Sequence, residues 1–486
     1  MPDPGEFPIS SRADSAASQR RSPPATMLEK LVLFHLGVFI AGTSWYFGGQ
    51  SPGARVWLLV WGTLGVMLFF VAQARRQSLS PARRHDVLRD LWPLALFDVF
   101  VGASCLNPSF QTIYRDNIPY FLLQEPSHAW LPSSARPDLT LRELWQFNAI
   151  VLSCYNAFQV LRSRRSLRRL LFVIAANALA LAIFGTFQKL VGAKGLWFGL
   201  VPSPQKYFFS TFVYHNHWGA FTLLSAAACL GLLFHTLRRG RYRDGRHSPA
   251  PAGAVATLLL AATAPLSASR SSTALLCLLL GAAMIHFLGR AIRRRRERHE
   301  SAFLPVAGIL LCALLAVVAI GYLGRDVIRQ RARTTTEQLS HLQREDTLNS
   351  RLTLYRDTWR MARLKPWFGW GLETYGDVFR IYNSQRTVEA WFGQPYYREA
   401  HSDWLQSLAE TGAVGTTLLV LLGLAPWWRR SPPGIAILPR YLIGGCGLVL
   451  LYAGVEFPFA NPAVMIAFWS SLYVARRYQL LEATND

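Results

Sequence analysis

The chain has little charge and little cysteine. Of 486 residues only 16% are Asp, Glu, Lys or Arg, while 51% are hydrophobic. That balance excludes an ordinary soluble globular protein. The six cysteines, Cys105, Cys154, Cys229, Cys277, Cys312 and Cys446, all fall in apolar stretches, where a free thiol acts as a small apolar side chain. None has metal-ligand spacing, and the polar loops hold none for a disulfide. No internal repeat stands out, and the first 150 residues carry no motif that assigns a function.

What the chain does have is long apolar runs. A transmembrane helix needs about 20 mainly apolar residues. Such runs lie near 31–48, 56–73, 91–106, 143–161, 170–190, 216–236, 252–268, 272–289, 303–323, 411–428, 441–456 and 462–475. By hydropathy this predicts about 12 spans and an all-α polytopic membrane protein. The run at 91–106 is the weakest, being short and holding Asp98. The polar, Ser-, Pro- and Arg-rich start reads as a disordered tail over 1–28. The predicted order is then nine spans over 29–323, an outer loop over 324–410, three spans over 411–478 and a tail over 479–486.

The formal charge of +23 alone could suggest nucleic-acid binding. Its distribution argues against that. Basic clusters recur in every second loop, at Arg75–Arg84, Arg162–Arg169, Arg238–Arg243, Arg293–Arg296, Arg429–Arg430 and Arg476–Arg477. Cytoplasmic loops keep Lys and Arg, so the alternation puts both termini in the cytoplasm and 107–142, 191–215 and 324–410 outside. A nucleic-acid surface would gather its charge on one face. The long outer loop is close to balance, with roughly 13 basic against 11 acidic residues. Its first part, Arg325 to Leu364, lacks proline and spaces Leu352, Tyr355, Trp359 and Ala362 as one face of an amphipathic helix.

Four segments carry candidate chemistry. Arg270 lies in Pro265-Leu-Ser-Ala-Ser-Arg270 between two apolar runs, at the outer face by this topology. It reads either as a snorkelling arginine at a turn or as a fork of donors for phosphate oxygens. Asn216 and His217, in Tyr214-His-Asn-His-Trp218, open an apolar run and read either as an interfacial belt or as substrate-facing groups. Two histidines, His215 and His217, without a third ligand are a weak metal signal. Arg351 precedes Trp359 and the turn Lys365-Pro-Trp-Phe-Gly-Trp-Gly371. It is a second phosphate candidate, or a salt-bridged arginine on a solvated helix, and the turn reads as architecture. The fourth segment is Arg398-Glu-Ala-His401-Ser-Asp403, leading through Glu410 to Gly412 and Gly415. His401 is placed to open a short helix with Trp404, Leu405 and Leu408 on its apolar face, capped at Gly412. It has the side chain suited to proton transfer near neutral pH.

Together these segments resemble the O-antigen ligase and polymerase family, most strongly over about 205–425. The matching features are His-Ser followed after nine residues by Gly-x-x-Gly, the Ser-Arg hairpin at 269–270, the Asn-His entry at 216–217, and the arginine ahead of a Pro-aromatic-Gly turn. Val455-Glu456-Phe-Pro-Phe-Ala-Asn461 looks like the family's closing outer turn, with Glu456 read there as interfacial. His215 stands where many relatives carry a basic residue. The resemblance implies a bacterial inner-membrane glycosyltransferase, with a lipid-pyrophosphate-linked glycan as donor and a glycan or lipid-linked acceptor as partner. In that reading His401 is catalytic. Arg270, Arg351, Asn216, His217, Asp403 and Glu410 meet substrate, and the outer loop forms a helical lid. No Asp-x-Asp nucleotide-sugar site and no convincing metal set is present, so neither metal nor other cofactor is expected, and hydroxyl attack predicts inversion at the anomeric carbon. A polymerase extending a lipid-linked chain shares these motifs. A flippase or other transporter is the rival of another class, but its charges would sit near the midplane of paired halves.

Overall fold

The computed structural model describes residues 26–79, 84–115, 118–205, 207–239, 249–304, some positions within 306–318, 348–384, 397–429 and 434–483. It is mostly helical. The helices are α1 (Met27–Trp45), α2 (Pro52–Leu79), α3 (Arg84–Cys105), α4 (Pro137–Val160), α5 (Arg164–Leu190), α6 (His215–Arg239), α7 (Ala250–Leu266) and α8 (Arg270–Arg296). They continue with α9 (Leu348–Leu364), α10 (Tyr375–Tyr382), α11 (Asp403–Leu424), α12 (Ile437–Tyr452) and α13 (Pro462–Ala483). Helices thus occupy eleven of the expected apolar runs; most of the run at 303–323, with Cys312, lies outside the described residues. Among the described residues, six helices are long and apolar enough to cross a membrane: α1, α2, α5, α6, α8 and α11. α7 and α12 are shorter apolar helices.

Their ends follow from local chemistry. Thr26 and Glu29 close a reciprocal capping box at the start of α1. The Ser163 hydroxyl accepts from the Ser166 amide at the start of α5. α6 is the most buried span and packs against α5, α7, α12 and α13. Its alanines, Ala220, Ala226, Ala227 and Ala228, are fully or almost fully buried and let neighbouring backbones approach closely.

A second core lies outside this bundle. Phe110, Leu354, Met361, Trp370, Tyr375 and Phe379 are buried together, joining the 107–142 segment to α9 and α10. Three polar ties fasten it: the Ala135 amide to the Trp370 carbonyl at 2.7 Å, Thr140 Oγ1 to the Leu372 carbonyl at 2.7 Å, and the Arg136–Asp377 ion pair at 2.7 Å.

The structure corrects four sequence expectations. The chain is not purely helical: β1 (Phe110–Arg115) and β2 (Ile118–Leu123) form an antiparallel hairpin, pairing Arg115 with Ile118 across a two-residue connection. Aromatic and β-branched residues flanking Asp116-Asn117 carry that signal. Of Leu352, Tyr355, Trp359 and Ala362, expected on one face of α9, only Ala362 is buried. Leu354, Asp357, Thr358, Met361 and Ala362 are buried, while Leu352 and Trp359 are exposed. The two polar residues find partners inside: Thr358 Oγ1 lies 2.7 Å from Tyr375 Oη, and the Ser384 amide donates to Asp357 Oδ2 at 2.8 Å. His401 does not open α11, which starts at Asp403 with Ser402 as its N-cap. Finally, α13 continues past 478 to Ala483, and the side-chain nitrogen of Gln479 donates to the Gly434 carbonyl at 2.6 Å.

Candidate functional site

The site begins with a broken helix. α11 kinks at Gly412, where φ is 64° and ψ −170°, a conformation open essentially to glycine alone. The break strands backbone groups that the Pro366–Gly371 turn then satisfies. The amides of Ala413 and Val414 donate to the carbonyls of Pro366 (2.8 Å) and Trp367 (3.1 Å). In return the amides of Trp370 and Gly371 donate to the carbonyls of Ala409 (3.0 Å) and Glu410 (2.8 Å). The approach is so close that a Cβ on Gly412 would lie 2.3 Å from Trp367 backbone atoms, and one on Gly369 would lie 2.3 Å from those of Glu410. The second core is therefore stitched to the N-terminal half of α11. His401 stands just before it.

His401 itself adopts φ 53°, in the left-handed region. For a residue with a side chain this stores strain of about 1–3 kcal/mol, held by the surroundings. The Tyr355 hydroxyl donates to its carbonyl at 2.9 Å, and its ring stands edge-on to Phe457 at 4.8 Å. Its Nδ1 faces Glu456 Oε2 at 3.7 Å, longer than a hydrogen bond. That leaves Nε2 as the nitrogen on the ring's other edge.

Glu456 is the centre of this group. It is only 3% exposed, and a buried carboxylate must be paired and hydrogen-bonded. Arg351 Nη2 lies 3.1 Å from Oε1, and the Tyr214 hydroxyl donates to Oε2 at 3.3 Å. Burial works against charge on the Arg351 guanidinium, but Glu456 beside it prevails and raises its pKa. Burial and the same carboxylate raise the Tyr214 phenol, so it stays a donor.

The remaining candidates attach to this centre. Asn216 Nδ2 donates to Tyr214 Oη at 2.8 Å, and its Oδ1 accepts from Ser269 at 2.6 Å. His217 is held at both nitrogens, Nε2 3.2 Å from the Phe457 carbonyl and Nδ1 3.3 Å from Gln50 Oε1. Asp403 staples the two segments: its amide donates to the Glu456 carbonyl at 3.2 Å and its Oδ2 accepts from the Phe459 amide at 2.9 Å. Thus His401, Arg351, Asn216, His217 and Asp403 do come together. Glu410 is buried farther along α11, where its Oε1 accepts from the Tyr375 amide at 3.1 Å. Arg270 is exposed at the first turn of α8, and its neighbour Ser269 is the residue that reaches the group.

These groups adjoin a cavity of about 1220 Å³. Tyr214, His217, His401, Asp403 and Glu410 line it. One wall is apolar, with Leu419 and Leu424 of α11, Ile443 and Leu450 of α12, and Phe468 and Leu472 of α13. The cavity's outer wall is charged, with Arg55, Arg142, Glu143, Arg398 and Glu399. Burial and Glu373 raise the Glu399 carboxyl to about 7, against the pull of Gln406 and Arg398. Among the described residues no group of three or more His, Cys, Asp or Glu side chains could hold a metal ion.

Two features escaped the sequence reading. Glu456 was legible as an acid closing an apolar run, a costly placement that marks function by default. The charged outer wall joins residues far apart in sequence and left no local signal.

Residues 255–420 match the family model for O-antigen ligase. That stretch contains Arg270, Arg351, His401, Asp403 and Glu410, whereas Asn216, His217 and Glu456 lie outside it. No curated protein matches the chain. The match covers about a third of the chain, and over that stretch the protein is similar to the O-antigen ligase family.

Proposed function

We propose that this protein transfers a glycan from undecaprenyl pyrophosphate to a sugar hydroxyl of an acceptor at the outer face of the bacterial inner membrane. The observation that carries the reading is one cavity with an apolar wall and, at its polar end, His401 beside Glu456 and Arg351. A lipid-linked pyrophosphate has the same division: an apolar chain and a charged head.

In the reaction the acceptor oxygen attacks the anomeric carbon as the bond from that carbon to the pyrophosphate oxygen breaks. His401 Nε2 takes the hydroxyl proton while Glu456 stabilises the resulting imidazolium through Nδ1. Arg351 is half-exposed and uses one nitrogen on Glu456. Its other donors serve the leaving pyrophosphate, whose growing charge a preorganised cation offsets. Arg270, at the neighbouring helix start, supplies a second cation to the same group. Displacement from the opposite face inverts the anomeric centre, and no metal enters the scheme.

The test uses purified full-length protein in nanodiscs, an undecaprenyl-pyrophosphate-linked oligosaccharide and a set of acceptors, with EDTA in parallel. Transfer that persists in EDTA is expected. A glycan product on a lipid A core identifies a ligase, and a longer lipid-linked chain a polymerase. Transfer to none of the acceptors would contradict the reading, and loss in EDTA would contradict its metal-free step.

A further inference from the structure

The charged outer wall of the cavity differs in kind from the His401 end. Arg55 starts α2, Arg142 and Glu143 lie near the start of α4, and Arg398 and Glu399 precede α11. Donors and acceptors alternate across these segments. Arg398 Nη2 lies 3.2 Å from Glu373 Oε1 and its Nε 3.8 Å from Glu399 Oε1. Gln406 Nε2 donates to Glu399 Oε2 at 2.9 Å, and Gln146 Nε2 to Glu143 Oε1 at 3.1 Å. Tyr397 and Trp404 add aromatic surface to the same cavity.

A hydroxyl is both donor and acceptor, so an array of hydroxyls needs a wall offering both. This wall does. A pyrophosphate accepts only, and here it would meet the acceptor oxygens of Glu143, Glu373 and Glu399 set among three guanidinium groups. Charged groups lining an open cavity, where a packed core would exclude them, also mark a surface built for a polar occupant. Glu399 is two residues from His401, at most about 7 Å along the chain, so a sugar held there presents a hydroxyl near the base.

We infer that the wall formed by Arg55, Arg142, Glu143, Arg398, Glu399 and Gln406 is a saccharide subsite that holds the uncharged, hydroxyl-rich part of the acceptor, apart from the pyrophosphate end. This rests on the transferase reading for the word acceptor, but the binding itself is tested without turnover.

The probes are a lipid-free, phosphate-free oligosaccharide released from the source cell's envelope, and undecaprenyl pyrophosphate. Both are titrated against the full-length protein in nanodiscs. Wild type binds both. The double variant Glu143→Gln, Glu399→Gln is expected to bind the oligosaccharide about tenfold more weakly and undecaprenyl pyrophosphate as wild type does. Unchanged oligosaccharide binding in the variant, or none in wild type, overturns the subsite. Weaker undecaprenyl pyrophosphate binding with the oligosaccharide unaffected overturns it too, by assigning the wall to the donor. If the double variant binds neither, Gln146→Leu decides: it must weaken the oligosaccharide while keeping undecaprenyl pyrophosphate. Saccharide binding without glycan transfer would sink the proposed reaction and leave the subsite standing.

Discussion

The two ends of the cavity use glutamate in opposite ways. At the His401 end a single carboxylate, Glu456, is surrounded by Arg351, Tyr214 and the His401 ring, and it is buried out of the cavity's reach. At the outer wall several carboxylates line the cavity itself, interleaved with guanidinium and amide groups. One buried carboxylate with both oxygens engaged positions other groups. Carboxylates that share donors and face open space are equipped to bind. The difference lies in partners and exposure, since the residue type is the same.

Breaking the first arrangement has the largest expected effect. Glu456→Gln keeps the shape, removes the charge that pairs with Arg351 and faces His401 Nδ1, and is expected to lower kcat for transfer by roughly 10²–10⁴-fold, the range of general-base catalysis that an orienting carboxylate supports. Its pH–rate profile should shift as well; an unchanged profile with lower KM-independent rate would reduce Glu456 to a packing role. Next in size is the seam that holds His401 in place. Gly412→Ala forces a Cβ against the Trp367 backbone at 2.3 Å in a conformation reserved for glycine. A cost of about 1–3 kcal/mol or more is expected, read as a lower unfolding midpoint in detergent.

Smaller effects sharpen the contrast. Tyr355→Phe removes the donor to the His401 carbonyl, a bond worth about 1 kcal/mol, and should lower kcat several-fold at unchanged donor affinity. The smallest effect belongs to the outer wall and depends on pH. The Glu399 carboxyl titrates near 7 in the fold, above its ordinary value of 4.5. The folded protein thus holds a proton that the unfolded chain releases between those values, and stability is lost as pH rises through that window. Glu399→Gln removes this loss. It is expected to raise the unfolding midpoint at pH 8 and to leave it near wild type at pH 4.5; equal changes at both would refute the proton retained on Glu399.

Legibility in the sequence followed the same division. Apolar runs announce helices because each needs only its own residues, and helices stand at α1, α5 and α6 where hydropathy put them. The α9 face was misjudged because Asp357 and Thr358 find partners inside the second core, which no helical periodicity reveals. His401 and Arg351 stood out as residue types beside recognisable turns. Their convergence depended on Glu456, over fifty residues after His401, and on a helix break whose stranded amides only Pro366 and Trp367 satisfy. The outer wall was the least legible, because α2, α4 and the approach to α11 contribute one or two side chains each.

The most direct test of the account is glycan transfer by His401→Ala beside wild type, with undecaprenyl pyrophosphate affinity measured on the same nanodisc samples. Transfer reduced by roughly 10²–10⁴-fold at unchanged affinity is the predicted result. Transfer at the wild-type rate would contradict the assignment of His401 as the base.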